Sequence, residues 1–302
     1  MSHSINPIYL YLLSPLHTGG TTQEGNLLGI ARESHTDLPY IPSSTIRGRL
    51  RSLVGDDRRI QRIQLFGPDL KDVQEFADQY EQETGNKLTQ LEQGKIWIGD
   101  ASLLWMPVPS LSHGVVWISS PLLLERWARF QPDAPKIPGV YSTNLPAGSP
   151  VYLKDAILKT EDLHHCQFEA FGIPQHPAAQ SLKKVLVLPE QHCNTLIQMS
   201  LWRQVKVKLD SHKSVEGGFR YEEAIPPDTL MYLPWGVTAQ TNGKGKSAEQ
   251  SSKEAEQSYQ QLFTNMLREK DNEVLQIGGQ ESLGRGFVQP WLANNASGKE
   301  EN

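Results

Sequence analysis

Cysteine is nearly absent: Cys166 and Cys193 are the only two in 302 residues. Two cannot build a disulfide framework, which agrees with a reducing, cytoplasmic setting. No apolar run approaches the roughly 18 residues that a membrane-spanning helix needs. The opening Met-Ser-His-Ser-Ile-Asn-Pro lacks a cationic segment followed by an apolar one, so export is not expected. There is no excess of positive charge: 29 Lys and Arg stand against 34 Asp and Glu, a net charge of −5. That argues against a protein that coats nucleic acid by bulk charge. Gly-x-Ser-x-Gly, His-Glu-x-x-His and kinase motifs are all missing. No Gly-Lys-Ser/Thr follows the glycines at 278–286, so that stretch is not a phosphate loop of the Gly-x-x-x-x-Gly-Lys-Ser/Thr kind.

What is present is a loop-rich chain with 24 Gly and 20 Pro and enough apolar residues for a core. Its charge is unevenly spread. Six arginines lie between Arg47 and Arg62 against two aspartates, while Glu75 to Glu92 is acidic. A near-neutral total can therefore hide one basic face.

Residues 7–16 read as a buried strand and 17–33 as a long, glycine-punctuated loop. Ser43-Ser44-Thr45 supplies an N-cap for a helix to about Val54, with Ile46, Leu50, Leu53 and Val54 on one face. A second helix is expected from Pro68 to Gly85 and a strand over 95–106 with a turn or bulge near Gly99. A strand from Gly114 to Ser119 leads into a helix capped by Ser120 with Pro121 at its first position. Pro132 to Pro150 reads as loop. Met199 to Leu209 alternates as a half-buried strand, and strands near 218–225 and 229–233 are expected to pair through Pro226-Pro227-Asp228. Residues 239–254 are polar and low in complexity, expected to be an exposed flexible loop. A helix from Glu254 to Lys270, a short strand to Ile277, a glycine loop and a strand at Phe287-Val288 follow, and the tail, 292–302, looks disordered. Strands and helices mix without regular alternation, which indicates one α+β domain over 1–291 rather than a doubly wound α/β fold.

Three stretches carry candidate chemistry. The first is His17-Thr18-Gly19-Gly20 with Ser43-Ser44-Thr45-Ile46-Arg47-Gly48-Arg49-Leu50-Arg51: a capped surface helix with solvated arginines, or a phosphate site at a helix N-terminus. The second is Gly278-Gly279-Gln280-Glu281-Ser282-Leu283-Gly284-Arg285-Gly286. It is either a structural turn or a loop whose main chain and Arg285 approach a polyanion. The third runs from Val215 to Met231, where Phe219, Tyr221 and Met231 either face the core or wedge between bases. His164, His165, Cys166, His176, His192 and Cys193 have irregular spacing and only weakly signal zinc, so no metal site is assigned.

In order along the chain, several stretches resemble the RAMP proteins of CRISPR effectors. They are Leu16-His17-Thr18-Gly19-Gly20, Arg32-Glu33-Ser34-His35-Thr36-Asp37-Leu38-Pro39-Tyr40-Ile41-Pro42, Ser44-Thr45-Ile46-Arg47-Gly48 and the closing glycine loop. Gly217-Gly218-Phe219-Arg220-Tyr221-Glu222-Glu223-Ala224-Ile225-Pro226-Pro227-Asp228-Thr229 is similar to the Cmr4-type, Cas7-like backbone subunits of type III-B complexes. The resemblance spans residues 7 to about 290.

It implies a ferredoxin-like (RRM-like) palm with a fingers insertion and a β-hairpin thumb, here Val215 to Met231. It implies a subunit that stacks into a filament on guide crRNA and holds the guide–target RNA duplex. Partners would be subunits of the Cas10/Cmr2, Cmr3, Cmr5, Cmr6 and Cmr1 types, with no membrane. His17, Gly19, Gly20, Ser43, Ser44, Thr45, Arg47, Arg49, Arg51, Gly278, Gly279, Gly284, Arg285 and Gly286 become the RNA-binding candidates.

Cutting members carry an aspartate before the Arg-Glu pair; here that position falls at Leu27, beside Asn26, and neither supplies an anionic ligand or base. His17, Glu24, Glu222 and Glu223 remain the catalytic candidates. The expectation is a guide-binding scaffold with no tightly bound cofactor. The alternative is a subunit that cuts target RNA at regular intervals with Mg²⁺ or Mn²⁺. A third reading is a nuclease acting alone on precursor RNA with His17 as base.

Overall fold

The computed structural model describes residues 5–24, 27–89, 92–131, 135–154, 156–238, 246–269 and 273–292. The strands are β1 (Asn6–Leu12), β2 (Gly19–Glu24), β3 (Leu27–Ile30), β4 (Tyr40–Ile41), β5 (Ile96–Ile98), β6 (Ala101–Ser110), β7 (Gly114–Ser119), β8 (Ser142–Thr143), β9 (Val151–Tyr152), β10 (Ile157–Leu158), β11 (His164–His165), β12 (Val185–Val187), β13 (Trp202–Leu209), β14 (Val215–Ala224), β15 (Leu230–Val237), β16 (Leu275–Gln276) and β17 (Phe287–Leu292). The α-helices are α1 (Ser43–Leu53), α2 (Arg59–Phe66), α3 (Leu70–Glu75), α4 (Ala77–Thr84), α5 (Pro121–Ala128), α6 (Glu190–Ser200) and α7 (Lys246–Arg268). The class is α+β, as the irregular order of elements indicates. None of the described helices is long and apolar enough to cross a membrane.

The main sheet runs β11-β8-β12-β7-β6-β15-β1-β17-β16, with β4 on β6 and β5 on β15. Within it lies β1, antiparallel to β15 on one side and β17 on the other. Because successive side chains alternate, β1 serves two cores. Ile8, Leu10 and Leu12 join one with Ile46 and Leu50 of α1, Leu196 and Ile197 of α6, and Phe263 and Met266 of α7. Tyr9 and Tyr11 join the other with Trp105, Leu124 and Trp127 of α5, and Phe171. A strand covered on both faces reads as a continuous apolar run, which is the pattern of residues 8–12.

Several sequence expectations are corrected. Residues 17–33 are not a loop: they contain the hairpin β2–β3. The Pro68–Gly85 helix is two, α3 and α4, interrupted at Phe76, whose ψ of 2° leaves the helical region. Helix α7 begins at Lys246, eight residues before the expected start, so part of the low-complexity stretch is helical; residues 239–245 and the tail 293–302 lie outside the described residues. The Ser120 cap and Pro121 at the first helical position stand as read, with Ser120 Oγ accepting from the Leu123 N–H.

The thumb is the largest correction. The expected strands 218–225 and 229–233 do not pair with each other. Instead β14 pairs with β13, from Trp202↔Ala224 to Leu209↔Val215, and β15 belongs to the main sheet. The projecting hairpin is therefore Trp202–Ala224. Met231 is fully buried in the palm and is no part of it.

Candidate nucleic-acid interface

The site forms where three distant stretches meet at the root of this hairpin. Backbone hydrogen bonds tie Leu16 to Ile225 in both directions, at 2.9 and 2.8 Å. The Gly279 N–H donates to the His17 carbonyl at 3.0 Å, and the Gly286 N–H to the Pro15 carbonyl at 2.9 Å. Two glycines make this approach feasible. Gly278 has φ +87° and a Cβ there would lie 2.5 Å from the His17 oxygen; Gly286 has φ +78° and a Cβ would lie 1.9 Å from the Ile277 oxygen. The glycine loop is thus closed by chain packing. Gly284 caps a short 3₁₀ turn in the left-handed region, and Gly279 lies against the His17 ring. Gly19 and Gly20 open β2. His17 is buried, with its Nδ1 2.8 Å from the Glu223 carbonyl oxygen.

Alternation on β14 sends Glu222 and Glu223 to opposite faces, and both carboxylates are fully buried. Glu222 meets Lys206 Nζ at 2.8 Å and Arg285 Nη1 at 3.1 Å, with Arg220 at 3.6 Å. Burial pushes the Glu222 carboxyl up, but Lys206 and Arg285 outweigh it and hold the group below the usual carboxylate range. Glu223 meets Arg32 Nη2 at 2.8 Å and Arg203 Nε at 2.9 Å. Five cations therefore surround two carboxylates, and the surplus is positive. Arg285 itself is 3% exposed: it donates to Gln204 at 2.9 Å and to Gln280, and its guanidinium lies 4.6 Å from the Trp202 ring centroid. It braces the root from within. The cations of the root that reach the surface are Arg203, 53% exposed, Arg220, 65% exposed, and to a lesser extent Lys206, 28% exposed.

Beyond the root the hairpin has two unlike faces. Register places Lys206 directly opposite Arg220 on one face, and Val205 and Val207 opposite Tyr221 and Phe219 on the other. Val205, Val207, Phe219 and Tyr221 are between 41 and 50% exposed, so this apolar row meets solvent instead of a core. Phe219 and Tyr221 pack edge to face, ring centroids 5.5 Å apart. Like charges directly opposite on neighbouring strands repel, and Glu222, 2.8 Å from Lys206 and 3.6 Å from Arg220, supplies the anion between them. β3 adds to β14 in parallel, pairing Leu27 with Tyr221, so β2–β3 extends the hairpin into a four-stranded sheet. Leu27, at the expected aspartate position, heads β3; Asn26 and the Glu24 side chain lie outside the described residues.

The arginines of α1 are committed elsewhere. Arg47 donates to the carbonyls of Ile96 at 2.9 Å and Phe66 at 2.7 Å and lies over the Phe66 ring. Arg51 donates to the Gly67 carbonyl and pairs with Asp72 at 2.8 Å. Asp72, fully buried, also takes Arg59 at 2.8 Å and Arg62 at 3.3 Å. Arg49 contacts Ser52 at 3.4 Å. The residue in the N-cap position of α1 is Pro42, and the Ser43 N–H donates to Asp100 Oδ1 at 2.6 Å, so a carboxylate already occupies that helix end; Ser44 is exposed and Thr45 half-buried.

The histidine–cysteine group does not assemble. Cys193 is buried in α6, where burial pushes its thiol up, while His164 and His165 form the edge strand and Cys166 follows it. Among the described residues no three His, Cys, Asp or Glu side chains group so as to hold a metal. Sequence reasoning missed Arg32, Arg203, Lys206 and Arg220. The available signal was the alternation of Lys206 and Lys208 with Val205 and Val207, here a strand with both faces in solvent.

Comparison with known proteins adds the following. A model of the RAMP superfamily matches residues 9–289. The CRISPR system Cmr endoribonuclease Cmr4 of Pyrococcus furiosus is 28% identical, covering 94% of this chain and 94% of its own. A crystal structure of Cmr4 superposes with a TM-score of 0.63 at 22% identity over 95% of this chain and 98% of its own. Oligomeric Cmr4 from Pyrococcus furiosus gives 0.62 at 22% identity over 97% and 98%. A chain of the type III-B Cmr-beta complex bound to cognate target RNA gives 0.69 at 18% identity over 96% and 97%. The structural likenesses establish a shared fold.

Proposed function

The chain belongs to the RAMP superfamily, and on that premise we propose that it is a backbone subunit of a type III CRISPR ribonucleoprotein, which binds guide crRNA and holds the guide–target duplex. The observation that carries the reading is the two-faced hairpin. It offers Lys206 and Arg220 on one side and exposed Phe219 and Tyr221 on the other, rooted where three distant stretches meet. Cations bind phosphates and aromatics stack on bases, neither of which reads sequence. The phosphate contacts pass from Arg47, Arg51 and Arg285 to Arg203, Lys206 and Arg220, which reach solvent. Self-association and docking with other effector subunits are supported by a fold shared with oligomeric Cmr4 and with a chain of the Cmr-beta complex. The test is purification from the host with sequencing of bound RNA. Small RNAs that share a repeat-derived 5′ handle support the reading; their absence overturns it.

Cutting of target RNA is the second reading, favoured by the 28% identical relative named an endoribonuclease. Mg²⁺ or Mn²⁺ belongs to this reading alone. The described residues do not fit such an ion, because no three His, Cys, Asp or Glu side chains among them group together and cations lie against both buried glutamates, and no step is derived through it. Incubation of the assembled complex with labelled target and either ion decides the matter: a regular ladder of fragments supports cutting, intact target refutes it. Release of guides from precursor RNA by the isolated chain would favour the third reading.

A further inference from the structure

We infer that Glu222 and Glu223 are a paired lock that fixes the angle between hairpin and palm, and so set where Phe219 and Tyr221 meet a bound strand. The second half of this statement rests on the RNA-binding reading above; the lock itself does not. Strand β14 leaves the palm at Ile225, which is fully buried and tied to Leu16. The hairpin is held there and, along one edge, by the short parallel pairing of β14 with β3 at Tyr221 and Glu222; both ties lie in the plane of the sheet and leave its tilt toward either face to the side chains. Glu222 and Glu223 point to those two faces. Each is bracketed by one arginine of the palm side and one cation of β13: Arg285 and Lys206 for Glu222, Arg32 and Arg203 for Glu223. Swinging one way stretches the first bracket and the other way stretches the second. Opposed clamps of this kind resist rotation in both senses, and buried charge pairs demand close geometry because a displaced partner leaves a charge uncompensated. Each carboxylate also orients a cation that reaches solvent, so both are positioning residues that touch no RNA.

The sign of the effect separates this from simple charge neutralisation. Glu222→Gln with Glu223→Gln raises the net charge by two units, which on electrostatic grounds alone tightens RNA binding. A lock predicts the reverse.

Two measurements on the full chain test it. Without RNA, amide hydrogen exchange across 202–224 is expected to accelerate at least tenfold in the double variant, with 6–12 and 230–237 unchanged. With single-stranded RNA carrying 2-aminopurine at successive positions, the wild type is expected to give a periodic pattern of unstacking; the double variant flattens it and binds no more tightly. Unchanged exchange overturns the lock. Tighter binding with the periodic pattern intact overturns it as well. Should the double variant fail to fold, Arg203→Gln and Lys206→Gln, at partly exposed positions, carry the same exchange measurement with the same two outcomes. If the wild type binds no RNA, the functional reading fails while the exchange arm still decides the lock.

Discussion

Replacing Asp72 by Asn tests the structural assignment of the α1–α3 arginines. The Asp72 carboxylate is fully buried and takes Arg51, Arg59 and Arg62 within 3.3 Å, together with the Asp69 N–H at 2.9 Å. Removing one partner from a buried charged network costs about 3–5 kcal/mol. Asn keeps one oxygen, and the three arginines are 15 to 21% exposed, so water relieves part of the loss. The expected cost is therefore at the lower end, about 3 kcal/mol. With a urea slope of about 3 kcal/mol per molar, that moves the unfolding midpoint down by roughly 1 M. The pH dependence carries a second check. Burial pushes the Asp72 carboxyl up, but the Asp69 N–H and the arginines outweigh it and hold it below the usual range. A depressed carboxylate stabilises the fold at pH values above its unfolded pKa, about 3.9, and that contribution disappears as pH falls through the lower folded value. The gap between wild type and Asp72→Asn should thus be constant from pH 5 to 8 and shrink below about pH 4. Urea titrations at several pH values measure it. A gap under about 1 kcal/mol at pH 7, the level of an exposed pair, or one that fails to shrink in acid, refutes the reasoning.

Other outcomes follow from the same geometry. Arg47→Ala removes two carbonyl contacts and a cation over Phe66; it should cost about 2 kcal/mol in urea unfolding while leaving the salt slope of RNA binding unchanged. Arg203→Ala with Arg220→Ala should weaken RNA binding and flatten the log–log salt slope by about 1.4, read by filter binding over a KCl series. Gly286→Ala, facing a carbonyl at 1.9 Å and a positive φ, should destabilise by more than about 2 kcal/mol and lower the melting temperature, whereas Gly284→Ala, with nothing within 4 Å, should show only the backbone cost of about 1 kcal/mol.

How far the sequence could be read depends on whether the deciding contacts were local. Strand β1 and the capped start of α5 were legible because an apolar run and a Ser-Pro cap act within a few residues. The thumb was not. Pro226-Pro227-Asp228 is a true bend, with Asp228 at φ 63° and Thr229 Oγ1 bonded to the Pro226 carbonyl. It joins strands of two different sheets, so turn chemistry revealed the bend and not the partner. The real hairpin turn is Asp210–Ser214, where the Asp210 carboxylate accepts from the His212 and Ser214 N–H groups, a quieter signal without glycine or proline. Arg47 and Arg51 looked free because their acceptors lie 16 to 49 residues away. The convergence of the His17 segment, the Glu222–Glu223 stretch and the glycine loop agrees with the order of motifs, while burial of Arg285 beneath Trp202 has no signature in the sequence.

The interior position of β1 bears on how a ribosome must deliver this protein. Residues 6–12 are made long before residues 230–237 and 287–292, the two neighbours that saturate their backbone. The opening segment, among the most apolar in the chain, waits unpaired through most of translation. Such long-range closure is slow and leaves a sticky edge in the meantime, so yield should depend on chaperone capacity and fall sharply for nascent chains halted before the final strand emerges.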